Sequence, residues 1–200
     1  MEKVVNPIST NELERRWAAV RAAMGERGID VLVMQNSNEF HGGYVKYFTD
    51  KPAGHGGYES VIFPRNDEMT AVRHGPQGGV IHPDSDDPVE RGIKEILTAP
   101  TFAAVDHSKT YAAELAVEAL KPWGDRTIGL VGTASMSYFF HEFLRNGRLP
   151  GAAFVGVTDM VYEIKAIKSG EEIGCIRKAA AMQDAIMEEI SKAIKPGKKL

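Results

Sequence analysis

The stretch at residues 163–200, EIKAIKSGEEIGCIRKAAAMQDAIMEEISKAIKPGKKL, decides how the chain is organised. Ser169 and Glu172 have the spacing of a capping box, which marks the first turn of a helix. Apolar residues then recur at intervals of three, four or seven, which is the spacing of one helical stripe. These residues are Ile173, Ile176, Ala180, Met187, Ile190 and Ile194. Pro196 and Gly197 end the predicted helix.

An apolar stripe of this length needs a surface to cover it. Only three residues follow Gly197, so the cover is either the preceding part of the chain or a second domain that the chain does not contain. We favour the second domain. The expected boundary follows residue 165, so that residues 1–165 form one domain and residues 166–200 begin the next.

Upstream, helical and strand patterns alternate. A second capping box, Ser9 with Glu12, predicts a helix that is closed by Gly28. The apolar run VLVM at residues 31–34 is typical of a strand buried on both faces. Further strands are expected at 60–63 and 69–73 (a hairpin), 102–105, 127–131 and 153–157, and helices at 89–97, 111–120, 135–145 and from 159. This order predicts an α/β fold, a three-layer α/β/α domain around a mixed sheet, followed by one long helix.

The start of the last helix resembles the domain junction of creatinase, prolidase and Xaa-Pro aminopeptidase relatives. Residues 163–173, EIKAIKSGEEI, are similar to the family pattern Leu-Arg-x-x-Lys-Ser-Pro-x-Glu-Ile. The following Ile176, Arg177 and Ala179 are similar to the Ile-Arg-x-Ala helix of that family. Lys165 stands where the family usually has Arg, and Gly170 stands where it usually has Pro.

Two upstream stretches resemble the same family. TIGLVG at residues 127–132 is similar to a strand that precedes the junction. Tyr47, Phe48 and Thr49 resemble a Tyr-Leu-Thr-Gly turn, with Asp50 in place of its Gly. The resemblance implies a creatinase N-terminal-like (ribonuclease H-like) fold for residues 1–165.

The resemblance also implies that the chemistry lies in a larger, pita-bread C-terminal domain. Peptidase members bind two divalent metal ions there through two Asp, one His and two Glu, whereas creatinase works without metal. None of those positions is reached before Leu200, so we assign no catalytic residue, metal ligand or cofactor to this chain. The implied activity of the parent protein is hydrolysis of an amide-like C–N bond in a small molecule or short peptide. We expect this chain alone to be inactive.

A homodimer is the expected assembly, because in family dimers this domain can lie over the active site of the other subunit. The loop after the Tyr-x-Thr turn then helps to hold the substrate, which makes His55 and Tyr58 the candidate substrate contacts. Glycines on both sides of His55 allow the backbone to approach a ligand closely. His41, also beside glycines, is a weaker candidate of the same kind. The alternative interpretation is a plain surface turn with His55 in water.

Composition excludes several classes of protein. A net charge of −3 without a basic block gives no reason to expect nucleic acid or an anionic membrane as a partner. The single cysteine, Cys175, and the absence of an apolar signal-like run favour the cytoplasm. His74 and His82 lack the spacing of a metal site and are interpreted as solvated loop residues. A non-catalytic binding or assembly module with the same fold is the alternative function.

The candidate substrate contact generates a kinetic prediction. In a protein that carries both domains, His55→Ala is expected to raise KM or lower kcat/KM and to leave the melting temperature unchanged, because it removes a ligand contact and no core packing. Steady-state kinetics and a thermal melt of the two proteins test this. Unchanged kinetics would remove His55 from the site.

Overall fold

A seven-stranded mixed sheet, covered by helices on both faces, forms the core of the chain. The computed structural model describes residues 8–36, 43–51, 58–102, 108, 110–194 and 197. The strands are β1 (Val31–Asn36), β2 (Glu59–Pro64), β3 (Met69–His74), β4 (Gly79–Ile81), β5 (Ile93–Ala99), β6 (Thr127–Val131) and β7 (Ala153–Gly156). The helices are α1 (Thr10–Glu26), α2 (Tyr44–Thr49), α3 (Tyr111–Leu120), α4 (Tyr138–Arg145), α5 (Thr158–Ala166) and α6 (Gly170–Ala193).

Strand β1 lies inside the sheet, whose order is β4-β5-β3-β2-β1-β6-β7. It pairs antiparallel with β2 and parallel with β6. The pairings along the sheet give β1, β3, β5, β6 and β7 one common direction, with β2 and β4 opposed. The carboxyl ends of five strands therefore lie along the same edge of the sheet.

Side-chain alternation along β1 supplies both halves of the core. Leu32 and Met34 pack in the cluster that holds α1, α2 and α5, whereas Val31 and Val33 pack in the cluster that holds α3 and α4. All four side chains are fully buried, and each contributes about 1.5–3 kcal/mol to folding. The predicted three-layer α/β/α architecture is confirmed.

The helix predicted at residues 89–97 is wrong, because this stretch forms β5 instead. Gly92 has φ +68°, a left-handed conformation that cannot continue a helix. The chain then extends from Ile93 and pairs in parallel with β3. Ile93 and Ile96 are buried in that pairing. A neighbouring strand thus overrides a local pattern that also fits a helix.

Two other boundaries differ from the sequence-based expectations. Helix α4 begins at Tyr138 and not at residue 135, because the Ser137 hydroxyl accepts a hydrogen bond from the Phe140 N–H at 3.1 Å and caps the helix there. The strand expected at residues 102–105 falls mostly outside the described residues, and Phe102 belongs to no strand.

The capping box at the start of α6 is confirmed in both directions. The Ser169 hydroxyl accepts from the Glu172 N–H at 3.1 Å, and the Glu172 carboxylate accepts from the Ser169 N–H at 2.9 Å. The helix runs for 24 residues and buries none of them. Neither α6 nor any other helix in the described part of the chain has the length and apolar composition needed to cross a bilayer.

Two strand glycines offer a test of packing around β1. A Cβ added at Gly129 in β6 would stand 2.7 Å from Leu32 Cδ2 and 2.8 Å from Val157 Cγ2, whereas one added at Gly156 in β7 meets nothing within 4 Å. Gly129→Ala is therefore expected to destabilise the protein by about 1–3 kcal/mol through overpacking. The matched control Gly156→Ala is expected to change stability by less than about 1 kcal/mol. Urea denaturation measures both, and equal effects would contradict the packing.

Candidate functional site

The carboxyl edge of the sheet, where β1, β3, β5, β6 and β7 end, is the usual place for a ligand in an open α/β sheet. Strand β2 enters the sheet at this same edge, because Glu59 pairs with Asn36 at the end of β1. Tyr58 immediately precedes Glu59 and is half-buried. The structure therefore places Tyr58 at the carboxyl edge.

The other two candidate contacts, His41 and His55, lie outside the described residues. Lys51 and Tyr58 are the described residues on either side of 52–57. The Lys51 ammonium group pairs with Glu90 beside the carboxyl edge. Both ends of the glycine-rich segment are thus attached at this edge, and the meeting of His55 with Tyr58 stays a prediction.

Four charged side chains form a network that holds the carboxyl edge together. Arg73 donates from Nε to Glu59 at 2.6 Å and from Nη1 to both oxygens of Glu90 at 2.8 and 2.9 Å. Lys51 pairs with the same Glu90. Two cations balance two carboxylates, so the network fixes the edge and leaves no excess charge for a ligand. This network was not predicted from the sequence. The predicted hairpin does indicate the contact between Glu59 and Arg73, because the two residues are the next pair outward from Ser60 and Val72.

A buried amide links the edge to α4. Gln35 is 2% exposed, and its side chain donates to the Ser60 hydroxyl at 3.2 Å. Its carbonyl oxygen accepts from the Ser137 N–H at 3.0 Å. Because both polar ends of Gln35 are used, the strands β1 and β2 and the start of α4 are held in a fixed arrangement.

A second polar group, which we call the joint cluster, ties α6 to the domain. It consists of Glu12, Arg16, Tyr47, Lys165 and Glu172. Arg16 is 5% exposed and donates to Glu12 at 3.0 Å, to Glu172 at 2.8 Å and to the Tyr47 carbonyl at 3.2 Å. Its guanidinium also lies 4.6 Å from the centre of the Tyr47 ring. Arg16 thereby joins α1, α2 and the first turn of α6.

The charges of the joint cluster shift the pKa values of its members. Hydrogen bonds from Arg15, and next from Arg16, lower the pKa of Glu12 to about 2. Glu12 therefore stays ionised in the folded protein, and its contribution to stability is present above pH 4.5 and is lost as the pH falls towards 2. Burial, with nearby Lys168 and Arg16, lowers the pKa of Lys165 to about 8.

The joint cluster was not predicted from the sequence, although one signal pointed to it. Glu12 and Glu172 are the third helical residues after the N-caps Ser9 and Ser169, and each accepts a hydrogen bond from Arg16. The two helix starts also contact each other, since Glu171 accepts from the Ser9 N–H at 2.7 Å and from the Ser9 hydroxyl at 2.6 Å. The first turns of α1 and α6 are far apart in the chain, and the same charged side chains therefore hold them together.

The stripe predicted on the last helix forms an exposed surface, which we call the apolar face of α6. It comprises Ile173, Ile176, Ala180, Met187, Ile190 and Ile194. Ile176, Met187 and Ile194 are 53, 63 and 64% exposed. Residues of this kind gain free energy when another surface removes them from water.

The structure does not gather the remaining histidines of the sequence analysis into a site. His74 ends β3, and its Nδ1 accepts from the Thr101 N–H at 3.1 Å. His82 is exposed, with Nδ1 at 3.3 Å from the Lys94 carbonyl oxygen. Within the described ranges, no three His, Cys, Asp or Glu side chains are placed to hold a metal ion.

Comparison with known proteins identifies the fold. No family model and no curated protein matches the sequence. Solved structures do match. The chain is similar to the Xaa-Pro dipeptidase from Bacillus anthracis (TM-score 0.63, 18% identity, 93% of this chain and 45% of that chain). It is also similar to the prolidase from Thermococcus sibiricus (TM-score 0.65, 16% identity, 93% of this chain and 46% of that chain).

A third similar structure is the N-terminal domain of the FACT complex subunit SPT16 from Cicer arietinum (TM-score 0.56, 13% identity, 96% of this chain and 48% of that chain). The chain has the fold of the N-terminal domain of prolidases and Xaa-Pro peptidases. It spans about half the length of each of these three structures.

The joint cluster can be tested with two neighbouring arginines. Arg16→Met leaves the carboxylates of Glu12 and Glu172 without their buried partner, and we expect a loss of about 3–5 kcal/mol in the free energy of unfolding. Arg15 pairs with the same Glu12, but its side chain is 43% exposed. Arg15→Met is therefore the comparison, with a smaller expected loss of about 1–2 kcal/mol, because Arg15 donates two hydrogen bonds to Glu12 but lies partly in water. Urea denaturation at pH 7 distinguishes them, and similar losses would show that Arg16 does not hold the joint.

Proposed function

We propose that this chain is the N-terminal, non-catalytic part of a hydrolase of the creatinase and Xaa-Pro peptidase type. Such a protein cleaves an amide-like C–N bond in a small molecule or short peptide. In this proposal the chain contributes contacts of a cytoplasmic homodimer and covers the substrate site, while the groups that perform the chemistry belong to a second domain.

Two observations support this proposal: the fold of the chain, and the fraction of each matched structure that the chain covers. The chain aligns over 93% of its own length with 45% of a dipeptidase and 46% of a prolidase. A domain of this fold is therefore part of a dipeptidase and of a prolidase. At 18 and 16% identity, these similarities establish the fold only. The hydrolase activity is therefore proposed.

The apolar face of α6 supports the presence of a second domain. A 24-residue helix with no buried residue is stabilised only weakly by its own sequence. The joint cluster holds its first turn against α1, and every residue from Ile176 to Ile194 is exposed. A second domain that packs on this face would bury Ile176, Met187 and Ile194.

The position of Tyr58 at the carboxyl edge supports the proposal that the chain covers the substrate site. Tyr58 stands there beside the segment that carries His55, and both ends of that segment are attached to the edge. A phenol and an imidazole can each exchange hydrogen bonds with a substrate carboxylate or carbonyl. In this proposal, these side chains bind and orient the substrate. No proton transfer or metal ligation is assigned to them. Two divalent metal ions, in the peptidase form of the proposal, are held by the second domain.

The alternative function is a non-catalytic binding or assembly module. Its support is the similarity to the N-terminal domain of SPT16, which is a subunit of the FACT complex. The two proposals differ in the residues expected beyond position 200. Two Asp, one His and two Glu at the family spacing favour the metallopeptidase, a lone His favours the creatinase type, and neither pattern favours the binding module.

The proposal is tested by activity and by the downstream gene sequence together. We expect the reading frame to continue past Leu200 into a second domain with one of the two catalytic patterns. The two-domain protein, supplied with Mn²⁺ where the five ligands are present, is expected to hydrolyse its C–N substrate, and the 200-residue chain is expected to be inactive under the same conditions. A reading frame that ends at Leu200, or turnover by this chain alone, would overturn the proposal.

A further inference from the structure

A cavity of about 320 Å³ lies beside the joint cluster, at the start of α6. Its walls come from α1, from α2 and from the bend between α5 and α6. This volume is at the lower end of the range for small-molecule sites. Of the described wall residues, only Ile176 also belongs to the apolar face of α6, and none belongs to the charged network of the carboxyl edge.

Both carboxylates of the wall are paired with arginines. Glu172 accepts from Arg16, which also lines the cavity, at 2.8 Å. Asp50 accepts from Arg91 at 2.9 Å. Because each acid already has its counter-charge, neither is left to attract a cationic ligand.

The lysines of the wall are engaged as well. Lys168 donates to the Lys165 carbonyl oxygen. The Lys165 ammonium nitrogen lies 4.5 Å from the centre of the Tyr44 ring and 5.4 Å from that of Tyr47. Lys46 and Lys165 also interact with other groups of the protein. An anion in the cavity therefore meets no cation that lacks a partner, and the wall favours a ligand without charge.

The hydroxyl of Tyr47 differs from these groups. Tyr47 lines the cavity and is 6% exposed, and its hydroxyl oxygen is buried without a hydrogen-bond partner in the described part of the chain. A buried Tyr or Trp normally finds a partner. Trp17 does so, since its Nε1 donates to the Phe48 carbonyl oxygen at 2.8 Å. A buried hydroxyl without a partner costs free energy, which a ligand that pairs with it would recover.

The Tyr47 hydroxyl is a donor at neutral pH. Burial raises its pKa, so the hydroxyl keeps its proton. The charges of Arg16 and Glu172 also act on this pKa, and both residues line the same cavity. The partner that suits a protonated phenol beside an already paired arginine and glutamate is a neutral oxygen acceptor.

Apolar side chains form much of the remaining wall. Ile8, Cys175 and Ile176 line the cavity together with Tyr47. Small-molecule sites commonly combine such a surface with a few polar groups that fix the orientation of the ligand. An apolar body that carries one oxygen matches this wall.

We propose that the cavity binds a small neutral molecule with an apolar body and one acceptor oxygen, as in an alcohol, a ketone or an amide, and that the Tyr47 hydroxyl donates to this oxygen. Tyr47 belongs to α2, whereas Cys175 and Ile176 belong to α6. The ligand therefore contacts both sides of the joint. This inference does not depend on the proposed hydrolase function.

The single cysteine of the chain provides a measurement of occupancy. Cys175 lines the cavity, so a bound ligand should slow its alkylation by iodoacetamide. Benzyl alcohol is the probe. Toluene lacks the oxygen, benzoate is an anion and benzylammonium is a cation of similar size. Benzyl alcohol is expected to slow alkylation severalfold at concentrations where the two ions have no effect, and to bind about three- to tenfold more tightly than toluene, which is the range for one hydrogen bond.

Two tyrosines of α2 provide a matched pair of variants. Tyr47→Phe keeps the ring and removes the hydroxyl, so benzyl alcohol is expected to bind no better than toluene, whose own affinity stays the same. Tyr44→Phe is the control, because Tyr44 is not among the wall residues, and the preference for benzyl alcohol is expected to remain. Without ligand, Tyr47→Phe is expected to melt at the same temperature as the unchanged protein or higher, since it removes a buried hydroxyl that has no partner.

The four probes decide the question in the unchanged protein, even if Tyr47→Phe does not fold. Equal affinity for benzyl alcohol and toluene, or alkylation of Cys175 at an unchanged rate, would overturn the proposal. Binding of benzoate or benzylammonium as tight as that of benzyl alcohol would also overturn it, because it would reveal a charge without a partner in the wall. A preference for benzyl alcohol that persists in Tyr47→Phe would show that the hydroxyl does not receive the ligand.

Discussion

A buried guanidinium determines how the last helix is joined to the rest of the molecule. Taking a charged group out of water costs free energy unless acceptors surround it, and Arg16 finds its acceptors on three separate segments. These are Glu12 on its own helix, the Tyr47 carbonyl on α2 and Glu172 on α6. The position of α6 is therefore set mainly by hydrogen-bonded charge at its first turn, since no residue of α6 is fully buried.

This constraint separates two surfaces with different roles. The first turn of α6 is fixed, so its apolar face projects from the domain and stays available to another surface. The carboxyl edge lies in the sheet itself, where Gln35 and the Arg73 network hold neighbouring elements in place. The antiparallel insertion of β2 brings Tyr58 to that edge, next to the end of β1. The sheet thus positions Tyr58, which is proposed to face a substrate, and the joint cluster positions the helix that is proposed to meet a second domain.

The sequence-based predictions agree with the structure where a feature depends on residues that are close together in the chain, and they fail where it depends on residues that are far apart. The N-cap at Ser9, the capping box at Ser169 and the apolar run of β1 were recognised correctly, because each depends on residues close together in the chain. The second half of the box predicted at Ser9 is wrong, since the Ser9 N–H donates to Glu171 and not to Glu12. Residues 89–97 were assigned to the wrong class, since isoleucines near Gly92 fit a short helix as well as a strand. Of the candidate site, the resemblance suggested Tyr58 as a substrate contact, which stays a prediction, and Arg16 was not identified from the sequence as the centre of the joint.

By itself, the sequence determined where most helices begin, which segments are apolar enough for the inner sheet, and that the domain has three layers. These properties follow from periodicity, capping and turn chemistry, which act over a few residues. The tertiary structure alone decided that β5 pairs with β3 and that Glu12, Tyr47 and Glu172 meet at Arg16. Strand pairing, burial and charge interaction depend on distances in space, and segments far apart in the chain reach those distances only when the whole fold has formed.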